Sequence, residues 1–129
     1  MVDVIERVED FTRDGETIIY IDFSGLSSDN DFLEVIGIAE PAISRRPKAS
    51  VCTITNIANL KFDSHTKEIA AKYMENNKPY VKFGVIIGLD GIKKMMARTV
   101  MKLSGRTNMD FAFTKEHAIE MILQRQKNN

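Results

Sequence analysis

The sequence predicts an α/β domain on a mixed, mostly parallel sheet of about five strands with four helices, and three observations carry that expectation. Two apolar runs, 50–56 and 80–88, show almost no polar alternation, as strands covered on both faces do. Segments with apolar residues at helical spacing lie between and around them. An Asp14-Gly15 pair near the start marks a tight hairpin. The resulting order is β-β-α-β-α-β-α-β-α, with four parallel strands, right-handed crossovers and an antiparallel N-terminal strand at one edge.

The first strand is expected over 4–11, where alternation is partial. After the Asp14-Gly15 turn, 16–23 is rich in β-branched and aromatic residues and reads as its partner. The loop 24–30 offers several helix caps, and Phe32, Ile36, Ala39 and Ile43 then recur at helical spacing. Pro41 falls inside that pattern and removes the hydrogen bond to the Gly37 carbonyl, so a kink or early break is expected there, with Pro47 closing the element.

The run 50–56 reads as the buried central strand. Asp63 or Ser64 caps the next helix, whose inner face is expected to be Ile69, Ala70, Tyr73 and Met74. Asn76-Asn77-Lys78-Pro79 ends it, through asparagine in a left-handed cap and a proline stop. The helix over 90–104 is expected to bury Ile92, Met96, Thr99, Val100 and Leu103, with Gly105 as its C-terminal cap. A last strand at 109–113 and a helix capped by Thr114, running to about Gln124, complete the chain.

A length of 129 residues suits one domain, with its core at about 16–124, and 43% apolar composition suits a packed interior. The 18 basic and 18 acidic residues cancel, which removes the global argument for nucleic acid. A single cysteine, Cys52, excludes an intrachain disulfide. The acidic opening does not resemble a secretory signal, and no apolar run reaches the roughly 20 residues of a membrane span. A cytoplasmic location is the expectation.

No catalytic set is expected. Ser64 and His65 are adjacent on a helix and do not face each other, and His117 reads as surface. No histidine–carboxylate cluster has metal-ligand spacing, Cys52 reads as a small core residue, and no cofactor is implied.

Two features stand out. Asp63-Ser64-His65-Thr66 opens a helix, and such a start favours a phosphate, although capping alone also explains it. Lys94, Arg98 and Lys102 share one helix face, with Lys93 and Arg106 nearby and Asp90 the one acid of the stretch. This stripe would meet an acidic partner, a phosphate or an anionic membrane surface, or would simply be a solvated face.

The order of elements, the stretch Val51-Cys-Thr-Ile-Thr-Asn-Ile-Ala-Asn-Leu-Lys-Phe-Asp-Ser64 and the later Met101-Lys-Leu-Ser-Gly-Arg106 resemble the STAS family of sporulation anti-sigma-factor antagonists, and within it the branch grouped with SEC14-like domains. The resemblance spans roughly residues 16–124. It implies a non-catalytic regulatory module that binds a protein partner at the helix start Asp63, Ser64 and His65, with Ser64 and Thr66 as candidate phosphoacceptors. Regulated members carry their phosphorylated serine directly after the Asp-Ser pair, where this chain has His65. The SEC14-like label implies the alternative, a carrier or binder of a lipid or other small apolar ligand. A receiver or flavodoxin-like site fits poorly: the central strand ends in Asn56 rather than an acceptor aspartate, and the 24–30 loop holds two aspartates. The N-terminal edge strand would also permit a homodimer.

Overall fold

A computed structural model describes residues 4–128. A 3-10 turn at Ile5–Arg7 leads into β1 (Val8–Arg13), which pairs antiparallel with β2 (Glu16–Asp22). Asp14 and Gly15 between them both have positive φ, 51° and 83°, the backbone of a hairpin turn that matches the strand twist. The first strand therefore lies later than the expected 4–11. Pairing propagates back from the turn, from Arg13 opposite Glu16 to Val8 opposite Ile21. Arg7 instead folds over the end of β2, donating to the carbonyls of Asp22 at 3.1 Å and Ser24 at 2.8 Å.

The elements α1 (Asp29–Ser44), β3 (Val51–Asn56), α2 (Ser64–Asn77), β4 (Val81–Ile87), α3 (Gly91–Ser104), β5 (Met109–Phe111) and α4 (Lys115–Lys127) follow. The sheet order is β1-β2-β3-β4-β5, with every pair after the first parallel. The three crossovers step the same way along the sheet, and α1, α2 and α3 lie side by side on one face, the arrangement that the right-handed sense usual for parallel connections produces. The fourth helix closes the other face against β3 and β4.

Two cores result. Ile19, Ile21, Val51, Val81 and Ile86 meet the three-helix layer, while Ile18, Cys52, Ile54, Phe83, Val85 and Ile87 meet Ala118, Ile119 and Ile122. Cys52 is a buried core residue, as its setting in the apolar run predicts.

Three expectations about helices change. The first helix passes through Pro41 and ends at Ser44, so proline does not end it and Pro47 lies beyond its cap. Gly37, whose carbonyl loses its partner, is exposed, and Ala39, Ala42 and Ile43 keep both sides of the proline packed. The second helix ends on Lys78 in right-handed rather than left-handed conformation, and its buried residues are Thr66, Ala70, Tyr73 and Asn77. Ile69 and Met74 pack only partly.

The third helix is rotated from its expected orientation. Ala97, Val100 and Ser104 face the sheet, while Ile92, Thr99 and Leu103 are exposed and Met96 is half-buried. Small residues let the helix sit close to the sheet. The side of the helix that lies over β5 is the one bearing Lys94 and Arg98, both set above the Phe111 ring. Gly105 closes the helix in left-handed conformation at φ 71°, with Gly105 donating to Lys102 and Arg106 to Met101, a Schellman arrangement. No helix among the described residues is long and apolar enough to cross a membrane.

Candidate functional site

The loops at the carboxyl ends of the parallel strands are knitted together. Phe23 donates to Asn56, Gly25 to Ala58, Ile57 to Ile87 and Lys61 to Leu26, all through backbone groups. Asn56 ends β3 by accepting from the Ala58 amide at 3.0 Å and donating to the Tyr20 hydroxyl at 3.2 Å. Because the parallel strands follow one another in sequence order, the strand order never reverses and the sheet has no switch point at which a ligand crevice would open.

At the start of α2 the cap falls to Asp63. Its Oδ1 accepts from the Thr66 amide and the Thr66 hydroxyl, both at 2.9 Å. These bonds, with Lys61 at 3.3 Å adding to them, hold the Asp63 carboxyl down at about 2. Ser64 therefore has no capping duty and lies exposed in the first turn. Thr66 differs: at 2% exposure with its hydroxyl bonded to Asp63, it is not an accessible phosphoacceptor, which corrects that part of the expectation. Its position on the inward face of the helix buries it.

The imidazole of His65 lies against α1, with Nδ1 at 2.6 Å from Asp29 Oδ2. Hydrogen bonding to Asp29 and its charge raise the His65 pKa above the usual histidine value. This ties the first turns of α1 and α2 together. Asp29 was missed as a site residue because it lies 36 positions upstream in a cluster of similar loop aspartates. Below the pair, a groove of about 320 Å³ runs between α1 and α2, lined by Leu33, Ile36, His65, Ile69 and Tyr73, with Glu40, Glu68 and Lys72 among the polar groups. Leu33 stands exposed at its rim.

The basic stripe is only partly a stripe. Lys94 and Arg98 lie over the Phe111 ring, at 5.4 and 5.7 Å from its centroid, and Lys102 continues their exposed line. Lys93 turns inward, half-buried, with Nζ at 3.4 Å from the Ile57 carbonyl. Arg106 does not belong to the surface at all. It is 6% exposed, because the Schellman turn directs it under α2, where it bonds the Met74 carbonyl at 3.3 Å and Asn108 Oδ1 at 3.0 Å.

An apolar cavity of about 60 Å³ lies between the sheet and α2 and α3, bordered by Phe23, Tyr73, Val100 and Arg106. On the opposite core, Glu16 is buried and paired with Lys82 at 2.7 Å, and Cys52 donates to Glu16 at 3.6 Å. Burial, then the Glu16 charge, pushes the Cys52 thiol up to about 12, far from a nucleophile's range. A lysine within an otherwise apolar strand was the available signal for this pair. No group of three potential metal ligands is present among the described residues.

The chain is thus an α/β protein with a five-stranded mixed sheet, three helices on one face and one on the other. Comparison with protein-family models, with curated proteins and with solved structures finds no match.

Proposed function

We propose that this chain is a cytoplasmic, non-catalytic regulatory module of the STAS type that receives a protein partner on its α1–α2 face and is switched by phosphorylation of Ser64. One observation carries the reading: Asp63 alone caps α2, so Ser64 is exposed and free of structural duty at the head of the α1–α2 groove. A phosphate there would meet the unpaired amides of the first helical turn and lie beside His65, changing the charge of a ready docking surface. The groove joins apolar Leu33, Ile36 and Ile69 with charges of both signs, the mixture of a reversible interface.

The alternative, a SEC14-like carrier of a lipid or small apolar ligand, draws on the cavity under α2. At about 60 Å³ it holds roughly two waters, against about 300–1,000 Å³ for ordinary ligand sites. Native mass spectrometry of the chain purified from its own source tests both. A phosphate mapped to Ser64, with a stoichiometric protein partner lost in Leu33→Asp, is the expected result. An unmodified chain carrying lipid would overturn the regulatory reading in favour of the carrier. The same spectrum reports a homodimer, for which the edge position of β1 is the argument.

A further inference from the structure

We propose that α3 is a docking surface for an anionic membrane face. The inference does not rest on the α1–α2 reading, because it concerns a different helix and a different surface.

The apolar arc of α3 does not coincide with its buried arc. Ile92, Met95, Met96, Thr99 and Leu103 share one side of the helix, roughly a quarter turn from the Ala97–Val100–Ser104 line that meets the sheet. Ile92, Met95 and Leu103 are 70%, 69% and 66% exposed. Large apolar side chains left in water along three turns of one helix imply something that covers them.

The neighbouring arc says what. Lys94, Arg98 and Lys102 are exposed on the other side of the solvent-facing surface, and none of them forms an ion pair among the described residues. Gly91 to Arg106 contains no acidic residue. Phe113, 89% exposed just beyond β5, borders the same hollow as Lys94 and Leu89. Apolar side chains beside long cationic ones on one outward helix face fit a surface in which the former enter the acyl boundary and the latter reach the phosphates. A second copy docking α3 against α3 would bring two cationic arcs together. A flat anionic surface satisfies both arcs at once without a groove.

The test uses the full chain and vesicles of three parts phosphatidylcholine to one part phosphatidylglycerol. The chain is expected to co-sediment with these at low salt, to be released by high salt, and to ignore pure phosphatidylcholine. Lys94→Glu with Arg98→Glu should reduce binding roughly tenfold or more, as should Ile92→Ser with Leu103→Ser. Lys48→Glu with Lys127→Glu changes net charge equally at exposed positions outside α3 and should leave binding within about twofold. Circular dichroism and thermal melts of every variant confirm the fold, since all substituted side chains are exposed. Absence of sedimentation at low salt, equal loss in the Lys48/Lys127 control, or full binding by the serine variant would each overturn the proposal. So would loss of an acidic protein partner from the α3 variants in a chain that ignores vesicles.

Discussion

Nδ1 of His65 lies 2.6 Å from Oδ2 of Asp29, and this contact joins the first turns of two helices whose far ends are tied by the Asn76 amide donating to Glu40 at 3.2 Å. A cation near a helix N-terminus opposes the helix dipole, so His65 owes its raised pKa to Asp29 rather than to its own helix.

The sign of the resulting pH dependence follows. A histidine whose folded pKa exceeds its unfolded value stabilises fully below the unfolded value, about 6.5, and loses that contribution as pH rises through the folded pKa. His65→Gln is therefore expected to lower the melting temperature at pH 5.5 and to leave it nearly unchanged at pH 9. Equal shifts at both pH values would show that the imidazole contributes by packing alone.

The Glu16–Lys82 pair predicts an asymmetry. Glu16 is almost fully buried, whereas the Lys82 side chain is 42% exposed and reaches water without its partner. Lys82→Met strands a buried carboxylate and should cost roughly 3 kcal/mol, while Glu16→Gln should cost no more than about 1 kcal/mol. Urea titration of both variants measures the difference, and equal costs would contradict the burial argument.

Two glycines should respond in opposite directions. At Gly88, φ is +83°, and an added Cβ would meet Asn56 Oδ1 at 2.5 Å and the Ala58 nitrogen at 2.6 Å. Gly88→Ala should destabilise by roughly 2–3 kcal/mol, since neither backbone nor the bonded asparagine has room to yield. Gly37 lies inside α1 with open space around it, so Gly37→Ala should stabilise by about 0.5–1 kcal/mol. Chemical denaturation of the two variants reads both signs.

These contrasts show where the sequence was readable. The central strands declared themselves because burial on both faces removes alternation, and Asp14-Gly15, Gly105 and Thr114 act through chemistry local to their own turns. Orientation was less accessible. Periodicity in α3 locates an apolar arc but does not say which way the helix turns it; Lys94 and Arg98 settle over Phe111 of β5, and Ile92 and Leu103 are left exposed. The candidate site was legible at Asp63 and Ser64 and not at Asp29 or Leu33, because the groove depends on how two helices lie together. Arg106 was misplaced for the same reason: an arginine just past a helix normally reaches solvent, and only the convergence of α2 and α3 buries it.

Arg106 supplies the last prediction. Its guanidinium has no carboxylate partner among the described ion pairs, and its acceptors are the Met74 carbonyl, Asn108 Oδ1 and the Met109 sulfur at 3.1 Å. It lies between the carboxyl ends of α2 and α3, where the partial negative charge of both helices offsets a buried cation. Asn108, held by the guanidinium, donates in turn to the Val81 carbonyl at 2.8 Å, so the arginine links both helix ends to the start of β4. Arg106→Leu removes the charge and leaves two half-buried acceptors without this donor, which should cost roughly 2–3 kcal/mol. Arg106→Lys keeps the charge but loses the fork that reaches three acceptors, and should fall between the two. Urea midpoints give the ranking. If lysine is no better than leucine, hydrogen-bond geometry rather than charge holds the two helix ends; if leucine matches the parent chain, neither does.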